Sequence, residues 1–205
     1  MTLPPLPALW DLREESASAL EAYARIPSVF TAQSVFAVQR TATGWALQEQ
    51  AVAPFTKDYD ALEDPRHWPR DFDTRRWVVL AGFVGGLRVG GAIVAVATPG
   101  VDMLEGRTDL AVLWDLRVDA AHRRQSVATA LVRAALAWAR RAGCSELKVE
   151  TQNNNPAACR FYARNGFVLA EAHAGAYADL PDEVQLIWRQ RLADGTAPRQ
   201  SARGR

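Results

Sequence analysis

The chain has 205 residues, 49% hydrophobic and 23% charged, with a formal net charge of +1. That length holds one α/β domain with a sizeable core plus extensions. The near-neutral balance gives no case for nucleic-acid binding. Two cysteines, Cys144 and Cys159, and three scattered histidines, His67, His122 and His173, suggest neither a disulfide scaffold nor a metal site. The start has no basic stretch ahead of an apolar run, so no secretory signal is expected. The most apolar segment, 77–97, is interrupted by Gly85, Gly86 and Arg88 and reads as a hairpin, not a membrane span. The expected compartment is the cytoplasm.

In chain order, residues 1–33 read as a Pro-rich extension followed by a helix over 11–25, with Leu12, Ala19, Leu20 and Tyr23 as its apolar positions and Pro27 as its stop. A domain over 34–192 follows. It opens with two strands, 34–40 and 45–52, joined at Thr43–Gly44. Residues 54–74 read as a long irregular loop, the kind that carries function or mobility. Strands at 77–83 and 87–98 form a hairpin whose tip, Gly85–Gly86, suits a primed turn with positive φ. Another strand is expected at 110–118.

A helix over 124–142 should bury Val127, Leu131, Ala135, Trp138 and Ala142, spaced at 3.6 residues, with Gly143 closing it. After a strand at 146–151, a short helix at 156–164 carries the local signals of its own limits. Asn155 is the cap, Pro156 the first helical residue, and Gly166 lies past the end. Strands at 167–172 and 184–191 close the domain, and the polar tail, 193–205, is expected to be disordered.

The chemistry is concentrated between Trp114 and Phe167. A strand runs into a turn bearing Arg123 and Arg124, and that turn opens a helix. Unpaired N–H groups at a helix start, with arginines beside them, suit phosphate. The series Leu116-Arg117-Val118, Arg123-Arg124-Gln125-Ser126-Val127-Ala128, Asn155-Pro156-Ala157-Ala158, Phe161-Tyr162 and Gly166-Phe167 resembles the GNAT family of N-acetyltransferases. The family's motifs are Q/R-x-x-G-x-G/A and, later, N-x-x-A-x-x-F-Y followed by G-F. The resemblance covers roughly 77–192. Within the family, Glu150 to Asn154, Ala158-Cys159, Pro54 to Asp60, and Ile187-Trp188 look most like the streptothricin acetyltransferases.

This resemblance implies an α/β (α+β) fold, with a mixed twisted sheet of six to seven strands, helices on both faces and a splayed central strand pair. It implies acetyl-CoA as cosubstrate, held by Leu116, Val118, Arg123, Arg124, Gln125, Ser126, Val127, Ala128, Thr129, Asn155 and Tyr162. Ser126 stands where the motif has its first glycine, so the turn has a Cβ where the diphosphate approaches. Asn155 has two candidate roles, helix cap and partner to a pantetheine amide. By resemblance the amine attacks the thioester directly, the Leu116 N–H serves the oxyanion, and Tyr162 is the acid for the departing thiolate. A phenol near pKa 10 against a thiol near 8.5 makes full proton transfer uphill by roughly 2 kcal/mol. Tyr162 is therefore read mainly as a hydrogen-bond donor to sulfur, unless its pKa falls.

A base is also required. Glu150 is preferred and Asp115 is its rival. Strand alternation would put Asp115 on the face opposite Trp114 and Leu116, and either acid has a structural alternative as an ion pair with Arg117 or Lys148. For the acceptor, Tyr59, Asp60, Trp68 and Tyr177 are the candidates. Acidic residues crowd the 54–74 loop, but Lys57, Arg66 and Arg70 interleave with them and Arg75 and Arg76 follow, as in a charge-balanced solvated loop. The expected reaction is acetylation of a primary amine on a small cationic molecule, such as a streptothricin-type antibiotic. The alternatives are acetylation of a protein N-terminus or lysine, and a non-catalytic acyl-CoA-binding module. The family also raises a homodimer.

Overall fold

A computed structural model describes residues 10–192 of the chain. The Pro-rich start and the tail at 193–205 lie outside the described residues. The architecture is a seven-stranded mixed sheet with helices on both faces and a separate two-stranded sheet beside it. The strands are β1 (Trp10–Glu15), β2 (Val29–Thr41), β3 (Gly44–Asp58), β4 (Val78–Val84), β5 (Leu87–Val96), β6 (Leu110–Val118), β7 (Glu146–Gln152), β8 (Val168–Ala174) and β9 (Val184–Arg191). The helices are α1 (Leu20–Tyr23), α2 (Trp68–Asp71), α3 (Val127–Arg141) and α4 (Pro156–Arg164). The large sheet runs β1-β4-β5-β6-β7-β9-β8, and β2 pairs with β3 alone.

The helix expected over 11–25 is corrected. Its first part is strand β1, in antiparallel register with β4 from Trp10↔Val84 to Glu15↔Val79, and only Leu20–Tyr23 is α-helical. Long-range pairing overrides a weak local helical preference here. Arg13 over the Phe83 ring and the Arg88–Glu15 ion pair, at 2.7 Å, add to the β1 junction. Residues set apart in the sequence as an extension thus supply an edge strand of the sheet and the start of β2. The irregular loop is also shorter than expected, because β3 continues to Asp58. Its remainder is organised by Asp64 and Asp73, which cap short 3-10 turns and pair with Arg66 and Arg75.

Helix α3 begins at Val127, three residues later than expected. Arg124 and Ser126 have φ of +62° and +65°, which a right-handed helix cannot accommodate. Its buried face is Val127, Leu131, Val132, Ala135 and Ala139, while Trp138 is half-buried and Ala142 exposed. At its end Gly143 (φ +84°) and Cys144 donate to the carbonyls of Arg140 and Ala139, a Schellman closure. The Gly85–Gly86 tip has positive φ at both residues, as a type I′ hairpin needs.

Two cores sandwich the sheet. On the α3 and α4 side, Val89, Val94, Leu113, Leu131, Leu147 and Leu186 are buried. On the other side, Leu20, Tyr23, Trp68, Trp77, Ile93 and Leu110 pack around α1 and α2, with Trp114 against them. Gly90 lets α3 sit close to β5, since a Cβ there would lie 3.0 Å from Val127 Cγ1 and 3.1 Å from the Arg117 carbonyl. That close approach sets the height of the turn at the start of α3 above the sheet.

Candidate active site

Strands β6 and β7 are parallel neighbours only from Leu110↔Glu146 to Leu113↔Val149. Beyond that point both strands continue, β6 held by β5 and β7 by β9, but no longer bonded to each other. The parting starts at a β-bulge, where Ile93 faces Asp115 while Val94 faces Leu113, leaving Trp114 as the extra residue. A bulge bends its strand and re-aims the side chains beyond it. It also corrects the expected alternation. Asp115 lies opposite Ile93 and bonds Arg117 beside Tyr23, so it shares the Trp114 face rather than opposing it.

A cavity of about 540 Å³ opens at this parting. Among its lining are Asp115, Leu116, Glu150, Asn155 and Tyr162, together with the acceptor candidates Tyr59, Trp68 and Tyr177. Asp60 is not in the lining; its carboxylate bonds Arg117 and the Ser28 N–H. Trp68 belongs chiefly to an aromatic cluster with Phe72, Trp77 and Trp114, its indole N–H donating to Glu63.

Tyr162 is 6% exposed, edge-on to Phe161 and Phe167. Among the described residues no protein group hydrogen-bonds its hydroxyl. Burial, with Asp115 and Tyr59 nearby, pushes its pKa well above the ordinary phenol value. The shift is opposite to the fall that full proton transfer would need. A phenol raised in this way favours its protonated form.

Glu150 accepts three bonds, all from neutral groups: the Tyr177 hydroxyl at 2.5 Å, Gln185 Nε2 at 2.7 Å and Gln152 Nε2 at 3.2 Å. Burial and the Glu150 carboxylate raise the Tyr177 pKa. Asp115 has both oxygens committed, Oδ2 to Arg117 Nε at 2.6 Å and Oδ1 to the Leu116 N–H at 2.7 Å. Of the two structural alternatives weighed for the acids, the Asp115–Arg117 pair is present, whereas Lys148 pairs with Glu105. The Leu116 N–H is thus occupied by a carboxylate, not left open toward the cavity.

Four carboxylates line the cavity, Glu63, Asp115, Glu150 and Glu183, against two cations, Lys57 and Arg117. Arg117 neutralises Asp115, and Lys57 pairs with Glu183 while lying 5.1 Å from the Tyr59 ring centroid. Glu63 is pushed toward its neutral form by burial. Glu150 has no cationic partner among the described residues.

At the outer end of β6, the turn into α3 places two left-handed residues, Arg124 and Ser126, around Gln125. Alternating backbone of this kind makes an anion-binding concavity. The N–H groups of Val127, Ala128 and Thr129 precede the first helical bond, from Ala130 N–H to the Ser126 carbonyl at 3.0 Å. The side chains divide. Arg124 makes no bond to a described residue, whereas Arg123 donates to the carbonyls of Val118 and Val29, at 3.2 and 3.0 Å, and Gln125 to that of Ala121. The Val127 side chain is core, and Val118 packs against the same core. Asn155 caps α4, accepting from the Ala158 N–H at 3.0 Å, and lines the cavity. Residues that sequence reasoning did not assign are Gln152 and Gln185, whereas Glu183 stood out only as part of a late acidic cluster with Asp179 and Asp182. The only signal for the two glutamines was proximity to Glu150 and to the Tyr177 segment.

Strands that part beside an anion cradle leave room for an extended ligand that carries phosphate, which fits the coenzyme A thioester of the acyltransferase class that the motif resemblance implied. The acetyltransferase (GNAT) family model matches residues 36–167, well over half of the chain, and the chain belongs to that family. It is an acetyl-CoA-dependent N-acetyltransferase. It is 28% identical over 162 residues to streptothricin acetyltransferase of Escherichia coli, covering 78% of this chain and 83% of that one. It is 32% identical over 80 residues to streptothricin acetyltransferase A of Bacillus subtilis, covering 38% of this chain and 46% of that one. The fold is similar to that of nourseothricin acetyltransferase (TM-score 0.69, 24% identity, 90% and 99% of the two chains covered). It is also similar to a Bacillus anthracis protein assigned as a streptothricin acetyltransferase, solved with acetyl coenzyme A (TM-score 0.71, 22% identity, 89% and 98% covered). No described helix is long and apolar enough to cross a membrane.

Proposed function

We propose that the protein acetylates the primary amine of a small cationic molecule of the streptothricin type. The observation that carries this reading is Glu150, a carboxylate at the parted end of β7 whose hydrogen bonds all come from neutral donors. An anion left without a cation in a partly buried cavity is a seat for an ammonium. The streptothricin acetyltransferases among its relatives support the substrate class.

Acetyl-CoA supplies the acyl thioester, which the amine attacks with loss of the thiol. In this reading the first turn of α3 and Arg124 hold the phosphates, while Arg123 braces the turn to β6 and β2. Glu150 binds the acceptor ammonium and takes the proton that leaves nitrogen. Asp115 is the weaker base, since Arg117 and the Leu116 N–H hold both its oxygens. Tyr162 donates a hydrogen bond to the sulfur as the carbon–sulfur bond breaks. With its pKa above the ordinary value, transfer of its proton is uphill by more than about 2 kcal/mol before that bond weakens. Tyr59 and Tyr177 wall the acceptor.

The test is thiol release from acetyl-CoA against a panel of amines: streptothricin, spermidine, lysine amide, basic peptides and an uncharged hydroxylamine ether. Release with small cationic amines, and little with the ether or the peptides, is the expected pattern. Preference for peptides would transfer the reading to a protein acetyltransferase.

A further inference from the structure

Arg117 does more than neutralise Asp115, for its side chain is 2% exposed and bonded through both Nε and Nη1. Nε donates to Asp115 Oδ2 at 2.6 Å, and Nη1 donates to Asp60 Oδ1 at 2.6 Å and to the Ile26 carbonyl at 3.1 Å. The Tyr23 ring lies against it, 5.2 Å from guanidinium carbon to ring centroid. A buried charge is tolerated when it is paired and hydrogen-bonded in this way, and a planar fork can serve two carboxylates where an ammonium would serve one point.

The three acceptors come from separate parts of the fold. Ile26 follows α1, Asp60 follows β3, and Asp115 is on β6. Each acid then uses its other oxygen on a main-chain N–H: Asp60 Oδ2 on Ser28 at 2.8 Å, Asp115 Oδ1 on Leu116 at 2.7 Å. A continuous polar chain therefore runs from Ser28 through Asp60, Arg117 and Asp115 to Leu116. Tyr59, next to Asp60, lines the cavity and donates to Gln152 Oε1 at 2.5 Å on β7, across the gap from β6.

We propose that Arg117 is a positioning residue for acetyl transfer, joining Asp60, which stands behind the cavity-lining Tyr59, to the Leu116 peptide at the strand parting. The proposal rests on the family reaction and is independent of which amine is the acceptor. Arg117 borders the cavity, but its side chain is 2% exposed, so it acts through the two acids it holds. It sets the spacing between the wall that holds the amine and the strand beside which the thioester lies.

Two substitutions test it in the full chain, Asp60→Asn and Arg117→Lys, singly and together. Both keep side-chain volume nearly constant, and Asp60→Asn leaves the buried Asp115–Arg117 pair intact. The first readout is the amide resonance of Leu116 in 15N-labelled protein. Asp60→Asn is expected to displace it although Asp60 does not bond Leu116, and in the Arg117→Lys background the same change is expected to have no effect on it. The second readout is steady-state kinetics with whichever of streptothricin, spermidine and lysine amide the wild type turns over fastest. Each single change is expected to raise the amine KM about tenfold, the size of a lost charge-assisted hydrogen bond, with the acetyl-CoA KM within about twofold. The double variant is expected to be no worse than the worse single one, because both break the same link. A Leu116 resonance unmoved by Asp60→Asn overturns the proposal, as do independent, multiplicative effects on KM. If Arg117→Lys does not fold, the Asp60→Asn resonance and KM decide alone. If no amine is turned over, the proposed acceptor class fails while the resonance still decides this inference.

Discussion

The hydroxyl of Tyr177 donates to Glu150 Oε1 at 2.5 Å, joining the segment before β9 to the end of β7 that has left its parallel neighbour. The phenol steers the carboxylate without neutralising it. Glu150→Gln keeps the shape and removes the charge. The expected result is an amine KM raised about tenfold or more for cationic acceptors, with the acetyl-CoA KM unchanged. Steady-state kinetics on the two substrates separately is the check. Equal losses on both would mean that Glu150 supports the sheet rather than the acceptor.

Tyr162→Phe removes a hydroxyl that no described protein group bonds, so the fold should tolerate it. Turnover is expected to fall about a hundredfold, the lower end for removing one positioned hydrogen-bond donor to developing charge, with acetyl-CoA affinity unchanged by calorimetry. An undiminished rate would remove Tyr162 from the chemistry.

Ser126 holds a left-handed φ of +65° without using its hydroxyl as a helix cap. Left-handed backbone costs a non-glycine residue roughly 1–2 kcal/mol, partly offset in a glycine variant by about 0.4–1 kcal/mol of unfolded-state entropy. Ser126→Gly is expected to raise the melting temperature slightly and to tighten acetyl-CoA binding by freeing the approach to the turn. Weaker binding would show that the hydroxyl is a phosphate ligand.

Gly91 faces Tyr23, and a Cβ there would lie 2.7 Å from two ring carbons and 3.2 Å from the Leu80 carbonyl. Because the ring is fully buried against Arg117, it has nowhere to move. Gly91→Ala is expected to destabilise by about 1–3 kcal/mol, measured by denaturant unfolding. A change below about 0.5 kcal/mol would contradict the packing described.

All four tyrosines, Tyr23, Tyr59, Tyr162 and Tyr177, are raised above the ordinary phenol pKa, by burial first in each case, Tyr59 to about 12. A folded pKa above the unfolded one leaves stability intact below about pH 10 and removes it as pH climbs toward the folded value. Ultraviolet titration is therefore expected to show little tyrosinate below about pH 10, then a cooperative rise that coincides with loss of tertiary signal. A smooth non-cooperative titration centred near 10 would contradict the burial of these side chains.

The features legible in the chain alone were those that local chemistry determines. Helix α4 was legible because Asn155, Pro156 and Gly166 mark its limits within a few residues. Strand β6 and the turn after it were legible because the motif residues are contiguous. The β1 strand was not, since its conformation comes from pairing with residues some seventy positions away. The role of Asp60 was hidden for the same reason. Its partner Arg117 is 57 residues distant, and an acid in a crowded loop looks like any solvated charge. The bulge at Trp114 defeated the alternation rule for Asp115, and its only trace in sequence was an oversized aromatic inside a strand.

Acetylation of a small cationic amine is tested most directly by mass spectrometry of streptothricin incubated with the full chain and acetyl-CoA, with thiol release measured in parallel. The expected result is one acetyl group on a primary amine of the acceptor for each thiol released, and loss of both in step when Glu150 is made Gln. Thiol release without an acetylated amine, or an acceptor left unmodified at saturating acetyl-CoA, would contradict it.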